Sequence, residues 1–159
     1  MSLSHAKLVA APLVLVLFAG TARPAHATLG GDVASVQANQ EHLGASRQVA
    51  KLPSGERHDL LLPSGTFVHE YVSTTGAVYA VTWSGPRIPD LRELLGPSFT
   101  QLERGEVRRN GLHRMSFSGS DLEIRSMGRR GAFAGRAWVP SLVPPGVHPE
   151  VSLDETGAR

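Results

Sequence analysis

The chain has 159 residues, with 16 Lys plus Arg against 14 Asp plus Glu, 41% hydrophobic residues and no cysteine. Without cysteine there is no thiol nucleophile, cysteine zinc site, iron–sulfur cluster or disulfide, so a fold of this size stands on packing alone. The small positive excess does not point to nucleic acid, because two of the cations belong to an N-terminal segment of a different kind.

Residues 1–27 have the layout of a cleavable secretory signal peptide. Lys7 precedes an apolar run from Leu8 to Gly20, Pro24 breaks any helix, and Ala25 and Ala27 supply the small residues that signal peptidase requires. The run is thirteen residues long and contains Pro12, short of the roughly 20 residues that span a bilayer. The expectation is cleavage after Ala27, a periplasmic or secreted mature protein, and no integral membrane segment. Lys7 and Arg23 leave with the signal, so fourteen basic residues face fourteen acidic ones in the mature chain.

Residues 28–44 form an N-terminal lead-in that reads either as a short helix capped by Asp32 or as irregular chain; Val33, Val36 and Leu43 make only a weak apolar stripe. From residue 45 the pattern changes to strands. Ser46 to Leu52 and Arg57 to Leu62 flank the turn-forming Pro53-Ser54-Gly55-Glu56, and Pro63-Ser64-Gly65 leads into Thr66 to Ser73. Thr75-Gly76 then turns the chain into Ala77 to Ser84. A two-residue loop there sets Val72 opposite Tyr79, Glu70 opposite Val81 and Val68 opposite Trp83. It places Val68, Glu70, Val72, Tyr79, Val81 and Trp83 on one face, with Phe67, His69, Tyr71, Val78, Ala80 and Thr82 on the other.

Gly85-Pro86 ends that strand. Leu91, Leu94 and Leu95, continued by Phe99 and Leu102, predict a helical insertion over about residues 89–104, broken into two pieces at Gly96-Pro97. Three further strands follow, Gly111 to Phe117, Asp121 to Met127 and Ala132 to Val139, and residues 141–159 read as a proline-rich, frayed tail. The predicted fold is α+β: one domain over residues 45–140, an antiparallel meander of about six or seven strands with the helical insertion packed on the sheet.

Two features invite chemistry. Glu70, on an apolar sheet face beside His69, is a candidate buried acid whose pKa desolvation would raise. The plainer alternative pairs it with an arginine and leaves His69 at the surface, since adjacent strand residues point to opposite faces. The stretch from Arg104 to Arg136 holds eight arginines against Glu106, Asp121 and Glu123. Arg108, Arg109, Arg129, Arg130 and Arg136 are its candidate anion-binding residues, suited to phosphate or carboxylate; a solvated, edge-protecting face is the competing reading. No two of the histidines at 42, 58, 69, 113 and 148 stand at metal-ligand spacing, and there is no Gly-x-Ser-x-Gly elbow, P-loop or dinucleotide fingerprint. No metal or cofactor is expected. Trp83 and Trp138 read as core residues rather than sugar platforms.

Several segments together carry a resemblance: Leu-Gly-Gly-Asp-Val-Ala-Ser-Val from Leu29, Leu-Pro-Ser-Gly-Thr-Phe-Val-His-Glu-Tyr-Val-Ser from Leu62, Val-Tyr-Ala-Val-Thr-Trp-Ser-Gly-Pro from Val78 with Pro-Asp-Leu-Arg-Glu-Leu-Leu-Gly from Pro89, and Gly-Arg-Ala-Trp-Val-Pro-Ser-Leu-Val-Pro from Gly135. The chain resembles an exported proteobacterial family catalogued as domain of unknown function 2844. The resemblance implies a Gram-negative origin and export, and transfers no catalytic or binding residue. The leading expectation is a non-enzymatic periplasmic or secreted accessory protein that binds an anionic envelope glycan or another exported protein. The alternatives are a small hydrolase or isomerase using Glu70 and a structural subunit of a secretion or surface assembly.

Overall fold

The computed structural model describes residues 29–109 and 114–152. The expected signal peptide, His113 and residues 153–159 lie outside them.

The lead-in is a helix, α1 (Val33–Leu43), because the Asp32 side chain accepts a hydrogen bond from the Ser35 amide at 2.8 Å and satisfies one of the orphan donors of the first turn. Eight strands follow among the described residues: β1 (Ser46–Leu52), β2 (Gly55–Leu61), β3 (Phe67–Ser73), β4 (Val78–Gly85), β5 (Arg108–Arg109), β6 (Arg114–Ser118), β7 (Glu123–Arg129) and β8 (Ala132–Trp138). They form one antiparallel sheet in the order β1-β2-β3-β4-β8-β7-β6-β5. It is two four-stranded meanders joined where β4 pairs with β8. The sheet exceeds the expected six or seven strands by β5, a two-residue strand whose Arg-Arg sequence carries no alternation.

The insertion between the meanders is helical, as expected. It comprises α2 (Leu91–Leu95), a 3-10 turn over Gly96–Ser98 with Pro97 at its start, and α3 (Phe99–Arg104). Together with Val36 of α1 and Leu29, its Leu94 and Leu95 cover one sheet face, where Leu60, Val68, Val81, Trp83, Ile124 and Ala137 form the main core. Trp83 lies across Gly135: a Cβ there would stand 2.2 Å from the indole.

One part of the expected hairpin differs. The β3–β4 loop has three residues, Thr74-Thr75-Gly76, closed by the Gly76 amide on the Ser73 carbonyl at 2.9 Å and by the Ser73 amide on the Ala77 carbonyl at 2.9 Å, with Gly76 at φ +86°. Val72 therefore faces Val78, and Tyr79 bulges before the register returns to Tyr71 opposite Ala80. The expected pairs Glu70/Val81 and Val68/Trp83 are present. The bulge reverses Val78 and Tyr79: Val78 enters the main core, while Tyr79 joins Tyr71, Ala80 and Trp138 in a second cluster on the opposite face.

That second cluster corrects the expected frayed tail. Leu142, Val143 and Val147 pack on it. The Arg136 guanidinium holds the segment down by donating to the carbonyls of Pro149 at 3.2 Å and Glu150 at 2.6 Å, just where the short α4 (Pro149–Ser152) begins. Prolines that cannot continue a strand leave carbonyls free to accept. The core also reaches back through Val36 and Leu29, so the packed unit extends beyond the expected 45–140 at both ends.

Candidate functional site

Glu70 lies in the middle of β3 on the core face, 1% exposed beneath α1. Its Oε1 accepts from Asn39 Nδ2 at 3.0 Å, and Oε2 has no hydrogen-bond partner among the described residues. Burial pushes its pKa up to about 7, against the smaller opposing pulls of the Asn39 hydrogen bond and the positive charge of Arg47. The partner is thus an amide from α1, while Arg47 acts at a distance. His58, opposite Glu70 on β2 and 2% exposed, has its pKa lowered by burial and by Arg47. Its Nε2 stands 3.4 Å from Glu56 Oε2 without hydrogen-bond alignment. Adjacent parity sends His69 to the other face, where its Nδ1 lies 2.6 Å from Asp59 Oδ1. Asp59 also accepts from Arg57 Nε at 2.6 Å and Nη2 at 2.8 Å. Burial raises the Asp59 pKa, but these hydrogen bonds outweigh it and hold the carboxyl below its ordinary value. Among the described residues no group of three His, Asp or Glu is placed to hold a metal ion.

The five arginines singled out in the sequence do not form one site. Arg136 is committed to the C-terminal segment. Arg108 stands on the edge strand in a register row with Ser116, Arg125 and Arg136, and Arg109 points to the opposite face. Arg129 and Arg130 form the tip of the β7–β8 hairpin. The sheet adds a neighbour to them: Arg114 pairs with Met127, two residues before Arg129 on the same face. All three guanidinium residues are exposed, and none forms an ion pair with a described residue. The acids of this stretch lie elsewhere. Glu123 pairs with Trp138 and Ser118 at the opposite end of the strands and accepts from the Ser118 hydroxyl. Asp121 accepts from the Ser141 amide at 3.0 Å and hydroxyl at 2.6 Å. Glu106 precedes β5.

Three clefts differ in charge accordingly. One of about 1220 Å³ is lined by Asp32, Asp90, Glu93 and Asp121 with His42 and Arg92. A second, about 1200 Å³, alternates Arg104, Arg108 and Arg125 with Glu106, Glu123 and Glu150. The third, about 660 Å³ at the arginine end, is lined by Arg114, Arg129, Met127, Phe133, Pro86 and small residues, with no carboxylate. Gly131 also lines it, and nothing stands within 4 Å of where a Cβ on that residue would be. Glu70 lines none of the three. Arg114, Met127 and Phe133 were not singled out from sequence; strand parity alone would have put Met127 and Arg129 on one face, but the partner strand supplying Arg114 needed the sheet order.

The model of a family described as Protein of unknown function (DUF2844) matches residues 25–151 of the chain. No curated protein and no solved structure matches it.

Proposed function

The chain belongs to the DUF2844 family, whose description names no activity, and we propose that it is an exported, non-enzymatic accessory protein that binds an anionic component of the cell envelope. The observation that carries this reading is the separation of charge along β6–β8: Arg114, Arg129 and Arg130 have no ion pair among the described residues and stand at one end beside a cleft without carboxylates, while Asp121 and Glu123 are tied down at the other. Planar guanidiniums held apart from acids suit phosphate or carboxylate groups. An enzyme built on Glu70 is disfavoured by the 1% exposure of that residue, which lines none of the clefts described above. The test is binding of the purified protein to an acidic polysaccharide. Salt-sensitive binding that Arg129→Glu with Arg130→Glu abolishes supports the reading, and no binding at low salt disposes of it.

A further inference from the structure

The arginine end carries a second property that charge alone does not explain. Its last full register row on the open sheet face runs Leu61, Phe67, Ser84, Ala134, Met127 and Arg114 across five consecutive strand pairs. Directly opposed residues of antiparallel strands share a face, and this face is the one that α1 and α2 leave uncovered at this end. Leu61, Phe67 and Met127 are 40%, 47% and 55% exposed. Three of the large apolar side chains left in solvent thus form one line that ends in Arg114, with Arg129 and Arg130 beside it. The acid-free cleft shares Ser84, Ala134, Met127 and Arg114 with this line and reaches round the sheet end to Pro86 and to Phe133, which strand parity sets on the other face. The carboxylate two positions inward on β2, Asp59, is already held by Arg57 and His69.

We infer that this edge docks on a membrane surface rich in anionic phospholipid, the guanidiniums of Arg114, Arg129 and Arg130 meeting headgroup phosphates while Met127, Phe67 and Leu61 enter the interface. The inference rests on the anion-binding reading above and names its occupant. Three observations favour a lipid over a soluble polyanion. The apolar row and the arginines share one edge, which a fully hydrated polymer would leave unsatisfied. The cleft between them is lined mostly by carbon and flanked by two guanidiniums, matching a ligand with an anionic head and an apolar tail. Neither of the other two clefts combines these properties, since both contain several carboxylates. Peripheral binding of this kind adds burial of a few apolar side chains to electrostatic attraction, and neither contribution suffices alone.

Two probes separate this inference from its premise: sedimentation with vesicles of phosphatidylglycerol and phosphatidylcholine, with pure phosphatidylcholine vesicles as control, and binding of soluble inorganic polyphosphate. The protein is expected to sediment with the anionic vesicles only. Arg129→Glu with Arg130→Glu should weaken both vesicle and polyphosphate binding by at least about tenfold. Phe67→Ser, at a position of the row that is 47% exposed and lines none of the clefts, should weaken vesicle binding by about fivefold and leave polyphosphate binding unchanged. Polyphosphate binding without vesicle binding, or a Phe67→Ser protein that loses neither or loses both alike, overturns the membrane inference and leaves the anion-binding reading standing. Failure on both probes overturns the two together.

Discussion

The Glu70 carboxyl keeps its proton in the folded protein up to about pH 7 because burial under α1 penalises the charged form more than Asn39 and Arg47 favour it. In the unfolded chain the same group ionises near 4.5. Its folded pKa being the higher one, the stability it contributes is fully present below about pH 4.5 and is lost progressively as pH rises to about 7. The loss amounts to on the order of 3 kcal/mol. His58 works in the opposite sense: its pKa is lowered, so its contribution is lost as pH falls below its ordinary 6.5. Glu70→Gln should therefore leave the melting temperature at pH 4 nearly unchanged and raise it at pH 8. Thermal melts at the two values check this, and equal destabilisation at both would show that the carboxyl has a role an amide cannot fill. The sequence pointed to a desolvated acid at this position because Glu70 falls in an apolar alternation. It gave no sign of Asn39, which lies on a helix 31 residues away whose apolar stripe is weak.

At the scale of elements, turns and caps account for most of what could be read in advance. Pro and Gly clusters bounded seven strands to within about three residues, and Pro97 divided the insertion where a ring without an N–H had to. The loop between β3 and β4 is one residue longer than the Thr75-Gly76 signal implies, since Thr74-Thr75-Gly76 satisfies a three-residue turn as readily as Thr75-Gly76 satisfies a two-residue one. The bulge at Tyr79 absorbs the difference, which is why the pairs nearer the middle of the hairpin were unaffected. Two substitutions probe these local devices. Gly135→Ala should destabilise the protein by about 1–3 kcal/mol or more, because its methyl would stand 2.2 Å from the Trp83 ring at the β4–β8 joint. Asp32→Ala should cost about 1 kcal/mol by removing the cap of α1. Urea unfolding measures both; a neutral Gly135→Ala would mean that Trp83 can move aside.

For the whole molecule, the decisive arrangement is non-local. A linear reading finds an arginine-rich C-terminal half, but it cannot say that pairing β4 with β8 gathers Arg114, Arg129, Arg130, Met127, Phe67 and Leu61 at one end while Asp121 and Glu123 go to the other. Nor can it say that Arg136 is spent on the C-terminal segment. The claim that this one corner, rather than the arginine-rich half at large, meets an anionic partner is tested most directly by two matched charge reversals. Affinity for polyphosphate at low salt is compared between Arg129→Glu with Arg130→Glu, at the corner, and Arg104→Glu with Arg125→Glu, in the cleft where arginines alternate with Glu106, Glu123 and Glu150. The corner pair should lose at least about tenfold, the cleft pair no more than about twofold. Equal losses from the two pairs, or none from the corner, would contradict the account.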